Sequence, residues 1–210
     1  MARRMKPLTS DLVEDLPSAC VGCAFWESRE RLPRHCGAKC DVELARGWID
    51  YVHAQWGDCG RTAIEDGVVL GFVKYAPPGY FPQADYFPAA PPSDDAVFLA
   101  CMHLVDEARH VGLGKLLLHA ALHDLYLRGE RAVEAYGFSG SSADLPVISF
   151  EFLSDAGFVV ERPHPEFPLM RLKLKSLAAL TENVEAVLEG LHLPLRVHKR
   201  ATAPYANSEC

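Results

Sequence analysis

A chain of 210 residues with a formal net charge of −7 is a poor partner for nucleic-acid phosphates or an anionic membrane surface, both of which call for a basic face. Hydrophobic residues make up 49% and charged residues 23%, which is enough apolar material for a substantial buried core and too much for intrinsic disorder. No apolar run reaches the roughly 20 residues that span a bilayer, and the basic start Met1 to Pro7 has no apolar stretch behind it. Neither a membrane span nor a signal peptide is therefore expected, and the chain reads as cytoplasmic.

Arg3 to Leu8 reads as an opening strand. Thr9-Ser10-Asp11 caps a short helix that stops at Pro17. A cysteine-rich stretch runs from Cys20 to Cys40. Asp41 then caps an amphipathic helix in which Val42, Leu44, Ala45, Trp48, Ile49, Val52 and Trp56 fall at helical spacing, with Gly57 and Gly60 ending it. Arg61–Ile64 and Val68–Tyr75 read as two strands joined by Glu65-Asp66-Gly67, where Asp-Gly signals a hairpin turn. Ala76 to Ser93 is rich in proline and aromatic residues and excludes a regular central strand. It is either the lining of a pocket or a cover over a sheet edge.

Ala96–Val105 is almost wholly apolar, as a strand buried on both faces is. A glycine loop follows, then a helix from Leu113 to Arg128 and a strand from Arg131 to Phe138. Pro146 suits the first turn of a helix running to Ala156 and closed by Gly157. Phe158–Arg162 and Leu169–Leu174 complete the core strands. Beyond Lys175 the pattern suggests a short helix over 177–191, a strand over 193–198 and a frayed end.

The loop Arg109-His110-Val111-Gly112-Leu113-Gly114-Lys115 has a direct physical reading. Glycines let backbone N–H groups approach an anion, and the helix that follows points its positive end at the same place. The spacing is neither a phosphate-binding Walker loop nor a dinucleotide fingerprint. Taken with the buried strand ahead of it, the segment from Leu104 to Gly114 resembles the signature of the GCN5-related N-acetyltransferases (the GNAT family). Phe150 to Val159, a helix closed by Gly157-Phe158 and followed by a strand, resembles the family's second block, and the order of elements is similar over about 3–174.

The resemblance implies an α/β (α+β) fold with a mixed, mostly antiparallel central sheet of six to seven strands flanked by helices. The acyltransferase domain would span 1–175 with a cysteine-rich insertion at 20–40, and 176–210 would form a C-terminal extension. Acetyl-CoA would be the cosubstrate. Met102, His103 and Leu104 would bond the pantetheine arm, and the segment Arg109, His110, Val111, Gly112, Leu113, Gly114 and Lys115 would hold the pyrophosphate. The family transfers acetyl directly to an amine, so the acceptor would be a primary amine on a small molecule or peptide, and the protein a monomer or homodimer.

Such chemistry needs a base, an oxyanion donor and an acid for the thiolate. His103 and Glu134 are the base candidates, with Asp94 and Asp95 behind them. The acid position of many relatives, four residues before Gly157, holds Leu153 here, which leaves Tyr136 and Ser149 as weaker substitutes. That departure keeps a second reading open, a catalytically weak CoA-binding or scaffold protein on the same fold.

Finally, Cys20-x-x-Cys23 and Cys36-x-x-x-Cys40 have the spacing of a structural zinc site, with His35 as a substitute ligand; unliganded thiols are the alternative.

Overall fold

A computed structural model describes residues 3–35, 37–140 and 146–177. Eight strands, β1 (Arg3–Pro7), β2 (Gly60–Glu65), β3 (Val68–Ala76), β4 (Val97–Leu104), β5 (Ala132–Phe138), β6 (Ile148–Ser149), β7 (Val159–Arg162) and β8 (Leu169–Lys173), form one sheet. Its order is β1-β2-β3-β4-β5-β8-β7, with the two-residue β6 paired to β5 outside that path. All pairings are antiparallel except β4 with β5 and β5 with β6. Three helices, α1 (Val42–Gln55), α2 (Leu113–Leu127) and α3 (Phe150–Asp155), cover the sheet.

The hairpin between β2 and β3 follows from its turn residues. Asp66 (φ 50°) and Gly67 (φ 84°) both adopt positive φ, the two-residue geometry whose twist matches flanking strands. Asp41 caps α1 as expected, its Oδ1 accepting from Leu44 N at 2.9 Å. Ala45, Trp48, Ile49 and Val52 are buried, whereas Leu44 is exposed. Thr9 precedes only a 3-10 turn, Ser10–Asp15, and makes no side-chain cap.

The sheet separates two apolar layers. On one face α1 and the segment around Trp26 pack with Phe72, Phe98, Cys101 and Tyr136. On the other α2 and α3 pack with Leu70, Tyr75, Leu99, Val133 and Met170. The far end of α2 is pinned to the hairpin: Tyr75 donates its hydroxyl to Asp124 Oδ2 at 2.8 Å, and Arg61 pairs with the other oxygen.

One expectation is corrected. The helix anticipated from Pro146 starts only at Phe150, because Ile148 and Ser149 are drawn into the short strand β6 beside Gly137 and Phe138. This adds a strand to the six or seven expected. The Pro-rich segment contains two 3-10 turns, Pro78–Tyr80 and Pro82–Tyr86. The helix and strand anticipated over 177–191 and 193–198 lie outside the described residues but for Leu177. Among the described residues no helix is long and apolar enough to cross a membrane.

Candidate active site

Strand β4 carries the central irregularity. Lys74 pairs with Cys101 and Tyr75 with Leu99, so Ala100 is an extra residue in β4 and makes a bulge. The bulge turns Ala100 and Cys101 toward the α1 side while Leu99 faces α2. Among the described residues β4 meets β5 only at Val97–Val133 and Phe98–Glu134. Beyond that point β5 pairs with β6 instead. Among the described residues β5 makes no strand pairing with Met102, His103 or Leu104, and all three side chains are partly exposed.

The glycine loop begins where β4 ends. After a 3-10 turn at Asp106–Ala108, His110 (φ 62°) and Gly112 (φ 84°) take left-handed conformations that swing the chain into α2. Gly112 is the N-cap residue of α2 and brings no side chain to the first-turn amides. A Cβ on Gly114 would lie 3.2 Å from Leu104 Cδ1 and 3.5 Å from Phe152 Cε2, so a glycine there lets α2 close on β4 and α3. Arg109 and Lys115 hold loose ion pairs, with Asp106 at 3.2 Å and Asp155 at 4.0 Å; Arg109 Nε also donates to Leu104 O at 3.5 Å, and both side chains reach solvent. The sequence-selected residues 102–104 and 109–115 thus lie in one place, at the edge of the parting strands.

The catalytic candidates are dispersed. His103 stacks on Phe72 with centroids 5.9 Å apart. Burial, with help from the Lys74 and Arg109 cations, pushes its pKa down to about 4, so the imidazole is neutral at neutral pH. Glu134 is fully buried and engaged: Ser93 donates to it through its N–H at 2.7 Å and its hydroxyl at 2.9 Å, and Arg171 at 2.6 Å. Asp95 holds the same arginine at 2.8 Å, and that hydrogen bond keeps its pKa below the usual carboxylate range; Asp94 is exposed. Tyr136 donates its hydroxyl to Ala84 O at 2.9 Å and stacks on Phe87 at 4.5 Å; burial raises its pKa. Ser149 caps α3, accepting from Phe152 N, and donates to Glu151. Leu153 is wholly buried.

Two residues escaped the sequence reading. Lys74, inside the apolar strand β3, and Glu27, next to Trp26, form a buried ion pair of 2.5 Å. Lys74 lines a cavity of about 20 Å³ together with Cys20, Cys23, Cys101 and His103. A lone lysine in a strand with no other charge was the signal available.

One residue of each cysteine pair meets the other: Cys23 and Cys40 are opposite each other in an antiparallel backbone bridge, with Ala24 N donating to Lys39 O at 3.0 Å. Cys40, however, is disulfide-bonded, which leaves it no thiolate to give a metal. Cys36 lies outside the described residues. Among the described residues no group of three or more His, Cys, Asp or Glu is placed to hold a metal ion, so the zinc expectation at Cys20, Cys23, Cys36 and Cys40 finds no support. Phe81 and Phe87 pack into the core, while Tyr86 and Phe87 also line an open hollow of about 350 Å³ with Arg31 and Arg34.

No protein-family model matches the chain. No curated protein matches it either. Solved structures do. A PaiA N-acetyltransferase from Thermoplasma acidophilum, in complex with coenzyme A, is 18% identical, covers 82% of this chain and 99% of its own, and superposes with a TM-score of 0.51. A putative acetyltransferase of the GNAT family from Desulfovibrio desulfuricans is 20% identical over 82% of this chain and 98% of its own, with a TM-score of 0.50. YncA, a putative acetyltransferase from Salmonella typhimurium with its cofactor acetyl-CoA, is 15% identical over 83% and 95%, with a TM-score of 0.56. These likenesses show that the fold of this chain is that of the GNAT-family N-acetyltransferases.

Proposed function

We propose that the chain is an acyltransferase that moves acetyl from acetyl-CoA directly to a primary amine of a small molecule or peptide. One observation carries this reading. A glycine-led helix entrance for an anion adjoins the stretch of β4 that has parted from β5. The two features suit the two ends of one elongated ligand, a diphosphate and an amide-bearing arm. The backbone of Met102–Leu104 would take the arm, and the amides from His110 to Lys115 the diphosphate, with Arg109 adding charge. The solved structures that hold CoA or acetyl-CoA on this fold support the choice of ligand.

A second reading, a CoA-binding protein that transfers poorly, is favoured by the proton chemistry. Leu153 has no acidic proton, and the Tyr136 phenol is committed to Ala84. One assay separates the two: CoA binding by calorimetry, with thiol release from acetyl-CoA against a panel of primary amines. Acyl transfer predicts binding together with turnover on at least one amine. Binding without turnover on any member selects the second reading, and no binding rejects both.

A further inference from the structure

The hollow beside Tyr86 is built from two segments that the CoA reading leaves unused. Phe25 and the run 31–34 of the cysteine-rich segment form one side, and Gln83, Tyr86 and Phe87 of the Pro-rich segment form the other. None of the CoA-side residues, 102–104 and 109–115, belongs to its wall. At about 350 Å³ it has the size of a small-molecule site.

The two sides are tied to each other. Gln83 is buried; its Nε2 donates to Ser28 O at 2.8 Å and also to Glu30 O, while its Oε1 accepts from Leu32 N at 3.2 Å. Tyr86 donates its hydroxyl to Arg29 O at 3.2 Å. In the other direction Arg34 Nη2 donates to Tyr86 O at 3.1 Å. The Arg34 guanidinium is also held against two rings, 5.2 Å from the centroids of Phe87 and of Phe167. Its orientation is thus set before any ligand arrives, which lowers the ordering cost of binding.

The charge of the hollow is unanswered. Arg31 lies over the Tyr86 ring at 5.9 Å, and Arg34 uses a single N–H in the bond to Tyr86 O. Among the described residues neither guanidinium pairs with a carboxylate. Glu30, Asp85 and Glu166, each next in sequence to a residue of this cluster, pair with neither. Yet acidic residues outnumber basic ones, 28 to 21, and most other arginines of the fold have an acidic partner. The planar donor fork of arginine matches a carboxylate or phosphate, and two such forks facing one hollow suit one oxyanion group. A polyanion is disfavoured by the net charge of −7.

We propose that this hollow binds a small organic oxyanion, a carboxylate or phosphate ester, through the guanidiniums of Arg31 and Arg34. The site is separate from the CoA loop and stands whether or not the chain transfers acetyl.

Heteronuclear NMR of the isotope-labelled full chain tests it with three probes, inorganic phosphate, succinate and uncharged succinamide. At least one anion is expected to give saturable shifts of Arg34 Nε–H and of the Arg31, Leu32 and Arg34 amides, weakening as salt is raised, while succinamide gives none. Tighter phosphate assigns a phosphate ester and tighter succinate a carboxylate, and either supports the site. Arg31→Glu is the chief variant, because Arg31 is exposed and makes no hydrogen bond among the described residues, so the fold does not depend on it. It should weaken binding at least about fivefold, by losing one attraction and adding a repulsion. Arg34→Lys, which keeps the charge but not the fork, should also weaken it. No saturable shift with either anion overturns the proposal. So do shifts confined to 110–115, an equal response to succinamide, or wild-type affinity in Arg31→Glu.

Discussion

Arg171 on β8 and Glu134 on β5 are Cα partners in register, and the guanidinium donates to Glu134 Oε1 at 2.6 Å. The same carboxylate receives both donors of Ser93, at the end of the Pro-rich segment. Glu134 is also the last β5 residue that pairs with β4. The ion pair therefore fixes the point from which the two strands separate.

Removing the carboxylate leaves two Ser93 donors without their acceptor and the largely buried guanidinium with Asp95 as its remaining partner. Glu134→Ala is expected to lower unfolding stability by about 3 kcal/mol or more in urea titration. A double replacement by apolar residues, Glu134→Leu with Arg171→Met, should recover much of that loss. A single-variant loss under about 1 kcal/mol would show that the pin is dispensable.

Gly112 is held at φ 84°, and a side chain there forces the loop into a left-handed strain of roughly 1–2 kcal/mol. Gly112→Ala should fold and bind CoA about tenfold more weakly in calorimetry. Arg109→Ala should also weaken binding, by an amount that shrinks as salt is raised, because its partly exposed guanidinium acts by charge. Unchanged affinity in both variants would remove the pyrophosphate from this loop.

His103 titrates at about 4 in the folded protein and near its ordinary value of 6.5 in the unfolded chain. Between those values the unfolded state binds the extra proton, so stability falls as pH falls. The contribution is complete above the unfolded value and is lost as pH drops through the folded one. It amounts to roughly 3 kcal/mol at most. Denaturation of wild type and His103→Gln at several pH values between 4 and 7 should show a flatter acid limb in the variant; parallel curves would refute the assignment.

Tyr136→Phe keeps the stack on Phe87 but leaves Ala84 O with only the Phe87 N–H, at 3.3 Å. A cost of about 1–2 kcal/mol is expected in thermal or urea melts. A neutral result would mean that the Phe87 N–H satisfies the carbonyl by itself.

Cys59 is fully buried, and burial raises its thiol to about 12 despite the opposing Lys74 charge. Alkylation of the folded protein at pH 8 should therefore label Cys23, which is partly exposed, well before Cys59. Mass spectrometry of the labelled peptides checks the order, and early labelling of Cys59 would contradict the burial described.

Local pattern alone determined most of the elements. The Asp66-Gly67 turn, the Asp41 cap, the apolar run of β4 and the glycine entrance of α2 each depend on interactions within a few residues, so their sequence signatures survive in the fold. The CoA-side candidates were legible for the same reason, since 102–104 and 109–115 lie on one short stretch of chain. The proton-handling candidates were not. Glu134 and Tyr136 look available in sequence, but distant partners, Arg171 and Ala84, claim them. Glu27 and Lys74 are 47 residues apart and meet only when the cysteine-rich segment folds onto β3. Likewise, the bulge at Ala100 and the parting of β4 from β5 are properties of strand register. Backbone turns are decided by the residues that make them; burial, pairing and charge state are decided by whatever the rest of the chain brings alongside.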